Sequence, residues 1–214
     1  AVKATYRGSQ VKGDKYRKII RDLIQEGERR YTLAGQDLTR GQEEGLLGEV
    51  GMYGVATKVI DLARLTLVGL GDMPGDMLCD RAWSAISNMA FHYGIDLQPY
   101  HEEWLRLAIP HILSKGLALA SASVDFTDML WIPVVDRGVK ANLRRYDWLL
   151  VDECQDLNAC QLSLVKSMLR PGGRMLAVGD PHQAIYGFAG ADARSFQNII
   201  EEMDAEVLPL SICY

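Results

Sequence analysis

The sequence predicts an α/β protein in which a long helical region leads into a parallel sheet. Three observations carry that expectation. Residues from about 13 to 121 keep a helical rhythm of apolar positions. From Asp125 onward, apolar runs of strand length alternate with amphipathic segments of helix length. Glycine and proline turns separate these segments, as right-handed strand–helix–strand crossovers require.

Taken in order, the helical segments lie near 13–34, 42–66, 76–93 and 100–120. They are separated by Gly35 and Gly41, by the run Gly69-Leu70-Gly71-Asp72-Met73-Pro74-Gly75, and by 94–99. Pro110 is expected to kink or split the fourth helix. Tyr100, Trp104, Leu105, Ala108 and Ile112 recur at helical spacing and read as a core stripe. Beyond them, 149–152 reads as a strand, 159–169 as its helix and Pro171-Gly172-Gly173 as a turn. Residues 174–178 read as a second strand, 195–203 as a helix and 206–208 as the start of a third strand.

Composition narrows the class. The chain has 214 residues, 48% hydrophobic and 24% charged, with a net charge of −5, the balance of an ordinary globular protein. No apolar run reaches the roughly 18 residues of a membrane span. Residues 1–18 are mixed and basic, without the apolar centre of a signal peptide. Cys79, Cys154, Cys160 and Cys213 show no zinc-ligand spacing and read as free thiols of a reducing, intracellular compartment. Two basic clusters stand out, Lys12, Lys15, Arg17, Lys18 and Arg21, and then Arg137, Lys140, Arg144 and Arg145. Each suits a nucleic-acid backbone, or else an ordinary solvated face.

The most informative stretch is Tyr146-Asp147-Trp148-Leu149-Leu150-Val151-Asp152-Glu153-Cys154-Gln155-Asp156. Its apolar run reads as a fully buried strand that delivers two adjacent carboxylates to the carboxyl edge of a sheet, where ligands of open α/β folds sit. One carboxylate there can hold Mg²⁺, directly or through water, and the next can orient or deprotonate a water. The alternative is a strand ending in two solvated acids. The second strand empties into Gly179-Asp180-Pro181-His182-Gln183-Ala184-Ile185-Tyr186-Gly187-Phe188-Ala189-Gly190-Ala191. Gly179 allows a sharp turn, and Gln183 carries both a donor and an acceptor with which to read a phosphate or its attacking water. Tyr186 and Phe188 are loop aromatics, suited either to stacking on unpaired bases or to packing beneath the loop. His182 reads as a loop residue without a metal role.

Together these segments resemble the UvrD/Rep-like group of superfamily 1 DNA helicases. Asp-Glu-Cys-Gln-Asp at 152–156 is similar to that family's Walker B element, and Gly-Asp-Pro-His-Gln-Ala-Ile-Tyr at 179–186 to its motif III. Asp125-Phe126-Thr127-Asp128-Met129-Leu130 resembles a segment these helicases carry ahead of Walker B, and 208–214 the approach to motif IV. The resemblance implies a RecA-like P-loop NTPase sheet (a partial domain 1A) at 122–214, an inserted all-helical 1B-like subdomain at 13–121 and a stub of the RecA-like domain at 1–12. It implies ATP and Mg²⁺ as cofactors, with Asp152 holding the metal and Glu153 as general base. Gln183 would sense the γ-phosphate, Gln155 would couple the nucleotide site to its neighbours and Tyr214 would stack on adenine. Tyr186 and Phe188 would lie on the single-stranded DNA path.

Ala189 stands where the family usually has arginine, and Ala184 where it usually has serine. Nothing in the 214 residues matches the phosphate loop Gly-x-x-x-x-Gly-Lys-Ser/Thr. The expectation is therefore an internal piece of a motor that couples ATP hydrolysis to translocation on single strands and unwinding at duplex junctions. Its partners would be DNA and the remaining helicase domains, with no membrane, and this piece would be inactive alone. The alternative is a non-catalytic DNA-binding or assembly module of the same fold.

Overall fold

The computed structural model describes residues 6, 8–33, 51–68, 77–183 and 194–209. A short strand, β1 (Gln10–Val11), precedes four helices: α1 (Lys15–Leu33), α2 (Met52–Thr66), α3 (Asp80–His92) and α4 (Pro99–Ala118). Then come β2 (Ser123–Val124), α5 (Phe126–Val135), α6 (Arg137–Ala141) and β3 (Tyr146–Val151). A 3-10 turn at Cys154–Asp156 leads into α7 (Ala159–Met168) and β4 (Leu169–Ala177). A second such turn, Pro181–Gln183, precedes α8 (Ser195–Met203).

Local chemistry accounts for the helices. In α1, Tyr16, Ile19, Ile20 and Ile24 fall on one face and are buried. In α2 the stripe runs Met52, Val55, Ala56, Val59, Ile60 and Ala63, and the helix closes at Leu67 in the left-handed region. Capping boxes start α4 (Gln98 with His101, and Pro99 at the first position), α5 (Asp125 with Asp128) and α7 (Asn158 with Gln161). These six side chains satisfy backbone N–H groups that a helix start leaves without partners.

One apolar core unites α1 to α6 and takes in Cys160 of α7. Gly116 of α4 lies against Tyr16 so closely that an added Cβ would sit 2.6 Å from a ring carbon. A charged cluster lies inside this core. The Lys15 ammonium is 2.6 Å from Asp128, and the Arg64 guanidinium is 2.9 Å from Asp125 and 3.2 Å from Asp128. The Tyr16 hydroxyl donates to Asp128 at 3.0 Å, and Arg64 lies 3.7 Å over the Tyr16 ring. Burial opposes the Arg64 charge, yet Asp125, Tyr16, Asp61 and Asp128 together carry its pKa above the ordinary value.

His101 is buried, its Nδ1 accepts the Gln98 N–H at 3.0 Å, and burial holds its pKa below the ordinary value against an opposing pull from Asp96. A depressed histidine pKa means that the unfolded chain takes up the proton first. Stability is therefore expected to fall as pH drops below about 6.5. Thermal melts of His101→Gln, which keeps the acceptor of the capping box, should show a flatter dependence between pH 7 and 5. The difference in slope is at most one proton's worth, about 1.4 kcal/mol per pH unit. Identical slopes for both proteins would refute the assignment.

A smaller core gathers Cys154, Leu162 and Ile199 with Val151, Met175, Ala177, Phe196 and Met203. Here β3 and β4 pair in parallel, Trp148 opposite Arg174 through Val151 opposite Ala177, as the alternation predicts. A parallel β1–β2 pair, not foreseen from the sequence, ties Gln10 to Ser123 and Val11 to Val124.

Several expectations need correction. The helix over Pro99–Ala118 is not split at Pro110, which is buried in its interior. Within the expected core stripe, Leu105, Ala108 and Ile112 are buried, whereas Tyr100 is exposed. Pro171-Gly172-Gly173 forms a bulge inside β4, absorbed by the register shift between Tyr146 and Trp148. Residues 205–209 form no strand, so among the described residues this sheet has two strands. The β3 strand is not buried on both faces: Val151 packs into the smaller core, while Trp148 is 60% and Leu150 76% exposed. Continuous hydrophobicity marked both faces for burial, and among the described residues only one is covered. The part of the expected 42–66 helix before residue 51, and all of 69–76, lie outside the described residues.

Candidate active site

The two carboxylates emerge where the strand chemistry places them, immediately after Val151 at the carboxyl end of β3. Both are exposed. Val178 N–H donates to Val151 O at 2.8 Å and Cys154 N–H to Val178 O at 3.0 Å, so the two strand exits are laced together. Glu153 adopts a left-handed backbone, φ 50° and ψ 43°, which a residue with a Cβ takes up at some cost. That conformation turns the chain sharply into Cys154–Asp156 and leaves the Glu153 side chain outside the sheet. The Asp152 Oδ1 accepts the Glu153 N–H at 3.0 Å.

Gln155 is buried and joins both loops. Its Nε2 donates to Glu153 Oε2 at 2.6 Å, and its Oε1 accepts the Asp180 N–H at 3.1 Å. Because both ends of the amide are engaged, its orientation is determined by partners on the two strand exits. Asp180 in turn accepts the His182 N–H at 2.9 Å and the Gln183 side-chain amide at 2.8 Å. The His182 bond, with that of Gln183, holds the Asp180 carboxyl below its usual range. Asp152, Glu153, Gln155, Asp180 and Gln183 thus form one linked set. His182 joins it through its backbone N–H.

Gly179 enables this linkage by close approach. Its φ lies outside the left-handed region, so space and not a positive φ is what calls for glycine here. An added Cβ would overlap Gln155 Oε1 and stand 2.8 Å from Cys154 Sγ. Gly179→Ala is expected to displace Gln155 and to lower stability by about 1–3 kcal/mol through overpacking. A thermal midpoint unchanged from wild type would refute the contact.

Ser195 escaped the sequence reading. Buried at the start of α8, its Oγ lies 3.1 Å from Cys154 O and 2.7 Å from Leu157 O, pinning the turn from the other side. Only its place at the start of a predicted helix signalled it. Cys154 packs beside this site, and burial pushes its thiol pKa up, unlike that of a reactive cysteine. Cys79, Cys154 and Cys160 are free thiols, as expected. Tyr186, Phe188 and Tyr214, like Ala184, Ala189 and Cys213, lie outside the described residues. Of the first basic cluster, Lys15 faces inward to Asp128, whereas Lys12, Arg17, Lys18 and Arg21 are exposed.

The donor set suits a magnesium ion. Asp152 Oδ2 and the exposed Glu153 are hard oxygen donors, and among the described residues no group of three His, Cys, Asp or Glu side chains is arranged to hold a metal by itself. One or two carboxylates completed by phosphate and water is the usual protein environment of Mg²⁺.

Comparison with known proteins gives the family. The family model of the UvrD/REP helicase N-terminal domain matches residues 17–204. The chain belongs to the UvrD/REP helicase family. Among relatives, DNA helicase II of Haemophilus influenzae is 34% identical over 118 residues, covering 52% of this chain and 16% of the relative. The ATP-dependent DNA helicase Rep of Buchnera aphidicola is 33% identical over 128 residues, 58% of this chain and 17% of the relative. A stretch of 83 residues is 34% identical to the ATP-dependent DNA helicase PcrA of Leuconostoc citreum, covering 36% of this chain and 11% of that helicase. The UvrD/REP family chain thus spans less than a fifth of the length of each. No solved structure matches it. Among the described residues no helix is long and apolar enough to cross a membrane.

Proposed function

We propose that this chain is the Walker B and motif III portion of an ATP-dependent DNA helicase, one that couples hydrolysis to movement along single-stranded DNA and opens duplex junctions. The observation that carries the reading is Gln155, bonded at once to Glu153 and to the Asp180–Gln183 loop. In this reading Glu153 accepts the proton of the water that attacks the γ-phosphate. Gln183 meets that phosphate, and Gln155 keeps the two in step. Asp152 would hold Mg²⁺, which when bound would supply positive charge against that developing on the phosphate. Tyr214 would stack on the adenine.

Residues 122–214 then belong to a RecA-like domain and 13–121 to its helical insertion, with 1–12 returning to the RecA-like part. The β3–β4 face with Trp148, Leu150 and Leu176, uncovered among the described residues, would receive the remaining parts of the helicase. Tyr186 and Phe188 offer stacking surfaces to unpaired bases, worth about 1–3 kcal/mol each. The exposed Arg17, Lys18 and Arg21 supply backbone contacts.

The test is steady-state ATP hydrolysis with and without a single-stranded oligonucleotide. The 214-residue chain alone should hydrolyse ATP negligibly, because it contains no Gly-x-x-x-x-Gly-Lys-Ser/Thr loop to cradle the phosphates. A protein that supplies that loop should hydrolyse it faster when DNA is present. Robust hydrolysis by the chain alone would contradict the assignment, and no hydrolysis with the loop supplied would favour a non-catalytic module.

A further inference from the structure

The carboxylate turn and the helical region belong to different apolar cores, and α7 contributes to both. Cys160 is buried in the larger core and Leu162 in the smaller. The N-cap of α7, Asn158, is itself buried and stands two residues beyond the Cys154–Asp156 turn. Whatever seats α7 therefore also seats that turn.

The larger core holds the charged cluster at the point where α2 and α5 meet α7. Burying Lys15, Arg64, Asp125 and Asp128 is costly, and well-packed apolar residues would often serve stability as well or better. What ion pairs add is direction. Arg64 Nη1 reaches both Asp125 oxygens, at 3.0 and 2.9 Å, and Asp128 Oδ1 at 3.2 Å. The same two carboxylates form the capping box of α5, with Asp128 N–H to Asp125 Oδ1 at 2.6 Å and Asp125 N–H to Asp128 Oδ2 at 3.2 Å. The first turn of α5 cannot slide or rotate without breaking bonds to α1 and α2. Trp131 and Ile132 of α5 lie in the same core as Cys160.

We propose that Arg64 and Asp128 are positioning residues for the Glu153 turn: the cluster fixes α5 against α1 and α2, these seat α7, and α7 sets the geometry of residues 153–156. This inference rests on the reading of Glu153 as general base, but its test does not depend on hydrolysis.

Hydrogen exchange on the 214-residue chain decides it. Two variants serve: Arg64→Lys, which keeps the charge and loses the fork, and the charge-balanced Lys15→Met/Asp128→Asn. In both, the amides of Cys154, Asp156 and Asp180 should exchange about tenfold faster through local opening, while the β3–β4 ladder stays at wild-type rates. Acceleration confined to α2 and α5, or uniform across the chain, would overturn the proposal and leave the cluster a purely structural element. If the turn responds but Glu153 proves dispensable for hydrolysis, the general-base reading fails while the positioning stands. If hydrolysis needs Glu153 but the turn does not respond, the reverse holds.

Discussion

Replacing Arg64 with methionine is expected to destabilise the chain by about 3–5 kcal/mol, the usual result of removing one partner from a buried ion pair. Methionine fills much of the same volume, so the loss reflects charge more than a cavity. Asp128 would keep Lys15, whereas Asp125 would lose its guanidinium; Asp61, another partner of Arg64, is half exposed and can turn to water. For a chain of this length the thermal midpoint should fall by on the order of 10 °C. Burial already raises the Asp125 carboxyl above its usual range, against the pull of Arg64. Without Arg64 that group should rise further, so the folded variant would bind a proton more readily than its unfolded chain. The deficit relative to wild type should therefore shrink as pH is lowered. Pairing Arg64→Met with Asp125→Asn should restore part of the loss, as a double-mutant cycle on residues in contact would show. A midpoint within about 2 °C of wild type would mean that the cluster is not closed as described.

The second large effect is chemical. In a family protein that supplies the phosphate loop, Glu153→Gln should lower hydrolysis by about 10²–10⁴-fold, the usual contribution of a positioned general base. Nucleotide affinity should be unchanged. The substitution suits this site because a glutamine carbonyl can still accept from Gln155 Nε2, as Glu153 Oε2 does now. The bridge to Asp180 and the left-handed turn should survive, and the loss can then be assigned to proton transfer. Turnover near the wild-type rate would end the assignment of Glu153 as base. A fall in turnover accompanied by a lower thermal midpoint would point instead to a disturbed turn.

Much of the site was legible because it follows chain order. Four apolar residues followed by Asp152-Glu153, and a second strand ending at Gly179-Asp180, place the acids and the Gln183 loop on one sheet edge whatever surrounds them. Most helical segments were legible from their period, and two of their starts agree with the capping residues Asn158 and Gln98, whereas α5 and α6 were not foreseen. Boundaries were less so. The bulge at Pro171–Gly173 reads as a turn because glycine and proline mark turns and bulges alike, and only pairing with β3 separates the two. Lys15 was read only as part of a basic cluster and Arg64 not at all, although Arg64 lies four residues after Ile60, and Lys15 four before Ile19, each on a buried stripe. A charged residue at such a position signals a buried partner, but not which one.

The sequence by itself therefore determined the family, the change from a helical region to strand–helix alternation and the two strand exits, since these depend on local period and on residues close in the chain. The tertiary structure decided what long separations bring together. It joined Gln155 to Asp180 across 25 positions and Ser195 to Cys154 across 41. It brought Lys15 to Asp128 across 113 and, through Gly179, gave the two loops room to touch. Those contacts depend on side-chain volume, desolvation and hydrogen-bond geometry in a packed interior, and linear spacing records none of the three.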